Sequence, residues 1–345
     1  MHKAVLRNVA SRLLVYLIIE EILQETAIYR RRRRLSAMKN GLNLGDAYKA
    51  ALVRIKAQGG EKARLGMAVL MWISHSRRPL YVDEICYAIA IQIGSNDLDN
   101  DEILAIPTLV DCCQGLVTID RGTSTIRLIN FTLQEYLCAH PNLFDRPHST
   151  MAETCLTYLN FQHVNDLSGG PSPDLRGTPF LEYSSLYWGT HMRMGSSVRA
   201  KEFAFQLLER FDSHISAKLL WKSINGGLPL NYDPGDKPFS ALHCISYFGI
   251  AEVANALNET NRWDVNEIDG AGMTPLIWAA RYGHEEVVRL LLQEKDIQPN
   301  QLDANYNRTA LSWAAGNGHE GIVKLLLGRD DVDPDSLRNF GRTLL

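Results

Sequence analysis

Two His-Glu pairs, His284-Glu285 and His319-Glu320, are residue types able to do chemistry. Such a pair can begin a HExxH zinc site, in which two histidines one helical turn apart hold the metal and the glutamate activates water. Here the second ligand position holds Val288 in one case and Val323 in the other, so both histidines read as turn residues. Cys138-Ala139-His140 pairs a nucleophile with a base, but residues two apart on a helix do not face each other, and Cys138 reads as a core thiol. The chain contains no GxSxG nucleophile elbow and no GxxxxGKS/T phosphate loop. No catalytic, cofactor or metal residue is assigned, and the expectation is a protein without enzymatic chemistry.

The His-Glu pairs sit inside a longer repetition. TPLIWAARYGHEEVVRLLL begins at Thr274, and TALSWAAGNGHEGIVKLLL begins 35 positions later at Thr309. Thr274 can cap a helix, and Pro275 suits the first helical position, where its missing N–H costs nothing. Leu276, Ala279 and Ala280 give a short helix with a small-residue face, which Gly283 ends. A second helix follows with Val287, Val288, Leu291 and Leu292 on its apolar side, then a turn at Pro299-Asn300. A helix pair this small cannot bury its apolar side alone, so copies must stack. Upstream, Ser240-Ala241-Leu242-His243 and Gly249 mark an earlier copy. Downstream, Gly341-Arg342-Thr343-Leu344-Leu345 starts another and stops.

This pattern resembles the ankyrin repeat over about the last third of the chain. The resemblance is carried by the Thr-Pro-Leu turn at 274–276, the Ala-Ala pairs at 279–280 and 314–315, and the Gly-His pairs at 283–284 and 318–319. The family's histidine after the leucine is present as His243 but replaced by Ile277 and Ser312. Trp278 and Trp313 look like binding aromatics, yet their position faces neighbouring repeats, so core packing is expected. The resemblance implies a protein partner on the concave face. Its contacts would be Tyr247, Phe248, Arg281, Tyr282 and Asn317 before the turn glycines, with Met273, Tyr306 and Arg308 at the turn tips. Aromatic and arginine side chains are the usual carriers of interface energy. A chain that stops one turn into a fourth copy reads as a piece of a longer array.

The middle of the chain follows another order. LGMAVLMWISHS (65–76) is a periodic apolar helix that Pro79 breaks, and VDEICYAIAI opens with Asp83 and Glu84 in its first turn. A third helix is expected over 103–113. Strands at 116–120 and 126–130 form one hairpin, and FTLQEYLCAH gives a further helix. Three helices and a hairpin are the winged-helix order. AVLMWISHSRRPLYVDEICYAIAI, CCQGLVTID and RLINFTLQEYL together resemble the winged-helix region of fungal NACHT–ankyrin proteins, signal-transducing ATPases related to NOD-like receptors. ALVRIKAQGG at 51–60 fits the helix that leads into that region. The resemblance implies an upstream ATPase core, a helical linker and a repeat array. About 50 residues precede this region and none forms a phosphate loop. The family's histidine before the Phe-Thr-x-Gln-Glu-Tyr-Leu block is replaced by Asn130, which can hydrogen-bond but not carry charge.

Whole-chain properties narrow the partners. The 345 residues are 46% apolar and 22% charged, with net charge −3, which gives no global reason for nucleic acid or anionic membrane. Six cysteines (Cys86, Cys112, Cys113, Cys138, Cys155 and Cys244) form no CxxC pair and read as buried, reduced thiols of an intracellular protein. The apolar run Leu13–Ile19 is far short of the roughly 20 residues a membrane span needs and reads as an amphipathic helix. Arg30 to Arg34 is the densest charge and reads as a helix end, with a nuclear-import signal, an anionic-lipid patch and a nucleic-acid arm as the alternatives. The third helix of the winged-helix region, EILAIPTLVDCCQG, has no lysine or arginine to reach phosphates or base edges. Helices are expected at 151–161 and 199–211, with a loop at 168–179, packing around Tyr183, Tyr187 and Trp188, and a connection at 228–237.

The expected fold is mostly α: a helical N-terminal segment (1–63), a winged-helix-like domain with one β-hairpin (64–140), a helical linker (141–235), and an ankyrin solenoid (236–345) of about three copies plus a truncated fourth. The expected function is protein binding by the concave repeat face, in the cytoplasm or with access to the nucleus. The alternatives are a truncated part of a nucleotide-regulated STAND ATPase switch and a winged-helix nucleic-acid binder.

Overall fold

The computed structural model describes residues 44–167, 175, 177–226, 239–258 and 263–335. The Leu13–Ile19 run, Arg30 to Arg34, the connection at 228–237, most of the 168–179 loop and the start of a fourth copy at 341–345 lie outside the described residues. The described chain is mostly helical, with sixteen α-helices and one small sheet of three strands. It forms two compact units, one ending at Pro147 but without 91–98, the other made of 91–98 and 148 onward.

The first unit runs α1 (Leu44–Ala57), α2 (Gly60–His75), β1 (Leu80–Tyr81), α3 (Val82–Ala90), α4 (Ile106–Cys112), β2 (Val117–Asp120), β3 (Thr125–Leu128) and α5 (Phe131–Ala139). Its core is Ile55, Leu65, Val69, Leu70, Trp72, Ile85, Leu109, Ile126, Leu133 and Leu137, all buried. β2 and β3 form the expected hairpin, with Asp120 accepting from the Gly122 and Thr123 N–H groups in the turn. β1 adds a third strand, antiparallel to β3, with Leu80 opposite Ile126 and Tyr81 opposite Thr125. Two residues are too few for alternation to register in sequence, so only the pairing reveals this strand. The expected helix at 103–113 starts later, at Ile106, because Pro107 suits a first turn and not an interior.

The boundary expected between 63 and 64 falls inside α2, and α1 belongs to this unit. Tyr48, Ala51, Leu52 and Ile55 bury one side of α1. The Tyr48 hydroxyl donates to Asn130 Oδ1 at 3.0 Å and lies 2.7 Å from the Thr132 hydroxyl. Asn130 itself caps α5 by accepting from the Leu133 N–H at 2.8 Å. Its side chain is thus used in joining α1 to α5.

The second unit begins with α6 (Pro147–Leu159), α7 (Gln162–Asp166), α8 (Leu181–Met194), α9 (Val198–Leu208) and α10 (Ile215–Ile224). Tyr158, Phe161, Phe180 and Tyr183 form a buried aromatic cluster between them. Three helix pairs follow: α11 (Ala241–Phe248) with α12 (Ala251–Asn258), α13 (Pro275–Tyr282) with α14 (Glu285–Leu291), and α15 (Ala310–Gly316) with α16 (Glu320–Leu327). The first helices α11, α13 and α15 stack in one row and the second helices in another. Thr274 and Thr309 cap α13 and α15 through the N–H groups of Ile277 and Ser312, and Ser240 with His243 makes a capping box on α11. Trp188 meets Phe248 edge-on at 5.3 Å, so the aromatic stretch of α8 packs on the first repeat. Gly189 is required there, because a Cβ would lie 2.3 Å from the Phe248 ring.

Candidate partner-binding face of the repeat array

The turn histidines stitch one repeat to the next. Nε2–H of His284 donates to the Tyr247 carbonyl at 2.9 Å, and that of His319 to the Arg281 carbonyl at 3.1 Å. Gly249 and Gly283 adopt positive φ (74° and 79°), and a Cβ on either would press within 3 Å of the following turn histidine. The two glycines therefore serve the turn and the stitch together. Asn266 and Asn300 make a second, parallel ladder, donating to the Asp296 and Asp331 carbonyls and accepting from the N–H groups of Gln298 and Asp333. This ladder escaped the sequence reading, although the two asparagines recur in register.

Burial holds three histidines of this unit neutral. It pushes the His284 and His214 imidazoles down to about 4, and lowers His243. The Arg193 guanidinium donates to His284 Nδ1 at 3.2 Å, which requires that nitrogen to be unprotonated. His214 and His243 spend Nε2–H on backbone carbonyls of Leu159 and of Met273 and Glu267. The folded values lie below the ordinary 6.5, so the folded protein binds fewer protons. Stability is then fully present above about 6.5 and falls as pH drops, for His284 and His214 toward 4, by at most about 1.4 kcal/mol per pH unit for each of these two histidines. Thermal midpoints should fall progressively between pH 6.5 and 4, and less steeply in His284→Gln. Midpoints unchanged across that range would contradict the assignment.

The exposed part of the array that is richest in aromatic and arginine side chains lies along the first-helix row and the loops before it. Tyr247 is half-buried and packs edge-on against Tyr282 at 4.9 Å and Trp278 at 5.9 Å. Tyr282 is 39% exposed and Tyr306 57% exposed, while Asn317 is exposed and donates to the Arg281 carbonyl. The Arg281 guanidinium stands 4.4 Å from the Trp313 ring centre, and that of Arg308 stands 4.7 Å from the same centre. Tyr306 meets Trp313 edge-on at 5.6 Å. Eight residues thus run together across three repeats.

Two of the residues expected to make contacts are not at the surface. Phe248 and Met273 are each 3% exposed. Phe248 fills the space beside Trp188 and Gly189, and Met273 is enclosed beneath the Arg281 side chain, whose Nη1 lies 3.7 Å from its sulfur. Both side chains are packing residues. Trp278 and Trp313 are buried, as their position suggested. Their indole N–H groups donate to two buried carboxylates, Asp269 at 2.9 Å and Asp303 at 3.0 Å. Asp269 also accepts from the Ala271 and Met273 N–H groups, and Asp303 from those of Asn305, Tyr306 and Arg308. These aspartates shape the loops that present Arg281's neighbours. Each precedes its tryptophan by nine or ten residues, a recurrence that could have been read from sequence.

The other candidate chemistry resolves locally. Cys138 is exposed and not a core thiol, because α5 turns that face outward, whereas the other five cysteines are buried. His140 turns Nδ1 to the Tyr136 carbonyl of its own helix at 2.7 Å. Among the described residues no cluster of three or more His, Cys, Asp or Glu could hold a metal ion. The exposed residues of α4 include Pro107, Thr108 and Asp111, none a cation. No described helix is long and apolar enough to cross a membrane. A polar cavity of about 460 Å³ lies away from the aromatic face, between the 94–96 loop, α6 and α9.

No curated protein matches this chain. Two family models match parts of it: residues 53–150 fit the family described as GPI inositol-deacylase, winged helix domain, and residues 216–303 and 241–338 fit ankyrin repeats in three copies. The first ankyrin match begins within α10, ahead of the boundary expected at 236. The helix–strand order of the first unit and the stacked helix pairs of the second agree with these matches, and the chain carries a winged-helix domain of the GPI-inositol-deacylase type followed by ankyrin repeats.

Proposed function

We propose that this chain is a non-enzymatic interaction protein that captures a partner protein on the first-helix face of its ankyrin array. Ankyrin repeats are interaction modules, and the observation that carries the choice of face is the run of Tyr247, Tyr282, Arg281, Arg308, Tyr306 and Asn317 around Trp313. Residues of these types contribute most when an interface covers them. The resemblance to NACHT–ankyrin proteins supports the further reading of a sensor component inside the cell, in the cytoplasm or with access to the nucleus, whose winged-helix unit would couple the array to a switch. A photo-crosslinking amino acid placed at Tyr306 should trap the partner, whereas the same probe at Glu286 on the second-helix row should not. Equal trapping at both positions, or trapping only at Glu286, would remove this face from the proposal.

A further inference from the structure

The polar cavity of about 460 Å³ is walled by the 94–96 loop, α6, the first residue of α7, and α9 with the two residues that follow it. All of these belong to the second unit, and the volume lies within the roughly 300–1,000 Å³ of small-molecule sites. Such sites are mostly apolar, and this one is not. Phe203 is its one large apolar side chain. The ring is half-buried beside Gly94, whose φ is 86° and whose Cβ, if present, would lie 3.5 Å from it. An apolar ligand would leave the rest of the wall desolvated and unpaired.

Much of the wall is held in place before any ligand arrives. The Gly94 N–H donates to Thr157 Oγ1 at 3.1 Å, and Asp97 meets His163 Nδ1 at 2.9 Å, so the loop is tied to α6 and α7. Asn160 donates to the carbonyls of Leu156 and Phe203, each at 2.9 Å, and its Oδ1 accepts from Arg210 Nη2 at 2.9 Å. One side chain thus joins α6 to α9 and fixes the guanidinium by a single nitrogen, leaving its other N–H donors to spare.

The remaining polar groups are uncommitted. Asn96, Gln206 and Glu209 are exposed, and their side chains make no hydrogen bond or ion pair among the described residues. Thr157 is 2% exposed; its hydroxyl accepts from Gly94 but has no acceptor for its own hydrogen among those residues. The Ser95 hydroxyl oxygen is buried without a partner. A hydroxyl turns between staggered positions about one bond, so it can swing to meet an arriving group. Amides and hydroxyls both donate and accept. Two uncommitted amides and two hydroxyls, with one carboxylate and one guanidinium, make a wall of no net charge. A phosphate would meet Glu209 and an ammonium ion would meet Arg210, whereas a sugar hydroxyl, which donates once and accepts twice, suits both.

We propose that this cavity binds a neutral, polyhydroxylated ligand of monosaccharide size. The hydroxyls of the ring meet Asn96, Gln206 and the Arg210 guanidinium held by Asn160, and its C–H edge lies against Phe203. The site is separate from the partner-binding face and does not rest on it.

Saturation-transfer NMR on the full chain, with D-glucose, D-galactose and N-acetyl-D-glucosamine as probes, tests the assignment. At least one sugar should receive saturation. Asn96→Ala with Gln206→Ala should weaken its binding at least about tenfold with circular dichroism unchanged, since neither side chain bonds to the fold. Ser95→Ala should weaken it less, and Glu286→Gln on α14 should leave it as it is. Saturation of none of the three would mean that the cavity holds only water and would overturn the proposal. So would sugar binding that survives the double substitution, which places the sugar elsewhere. Binding of L-glutamine in place of the sugars, lost in Glu209→Gln and in Arg210→Gln, would make this a site for a zwitterion and overturn it as well. Crosslinking at Tyr306 reads the partner face independently of each result.

Discussion

Replacing Asp269 with alanine is expected to destabilise the repeat-bearing unit by about 3–5 kcal/mol, a large share of the roughly 5–15 kcal/mol that holds a typical domain together. The carboxylate is fully buried and accepts from the N–H groups of Ala271 and Met273 and from the Trp278 indole. All three donor residues are themselves buried, so water cannot replace the lost acceptor. Asp303→Ala removes more bonds, but two of its donors belong to Asn305 and Tyr306, which are exposed and can turn to water. Its cost should be smaller, about 2 kcal/mol. Asp269→Asn keeps one acceptor oxygen and should fall between. Urea midpoints, with amide exchange followed over residues 263–282, would measure the order. Asp303→Ala proving the more damaging would mean that bond number and not desolvation sets the cost.

Glu84→Ala should cost the winged-helix unit about 3 kcal/mol, the lower end of the range for breaking a buried ion pair, since Arg78 remains partly exposed. Glu84 is only 2% exposed and takes both terminal nitrogens of Arg78, at 2.7 and 2.6 Å, along with the Tyr81 N–H at 2.8 Å. One carboxylate thus ties the loop after α2, the edge strand β1 and the first turn of α3. Arg78→Met should cost more than Glu84→Ala at neutral pH, because it leaves the buried carboxylate without its partner, whereas Glu84→Ala leaves a partly exposed guanidinium that water can reach. Amide exchange over residues 78–90 would report both, with Tyr81 the first amide to open in Glu84→Ala. An unchanged Tyr81 amide would show that the carboxylate does not hold the strand.

Local pattern alone determined the helix pairs of the array. Thr274-Pro275, the alanine pairs and the turn glycines are signals read within a few residues, and their recurrence at a fixed spacing says that copies stack. The same kind of evidence placed the winged-helix order, because α2, α3 and the β2–β3 hairpin each have a period or a turn of their own. Where a feature depends on residues far apart in sequence, the pattern was silent or misleading. Strand β1 has two residues and exists only through its pairing with Thr125 and Ile126. Helix α1 belongs with the winged-helix unit because Tyr48 reaches Asn130, 82 positions away. Phe248 and Met273 are of the residue types an interface favours, yet α8 covers Phe248 and the Arg281 side chain lies over Met273, and nothing in their immediate neighbours announces a cover. Cys138 stands in an apolar run but on the outer side of α5. The arginine–tryptophan strip was visible as residue types, but only stacking could bring Arg281 of one repeat and Arg308 of the next onto a single ring, because their side chains meet across a repeat boundary and not along a helix.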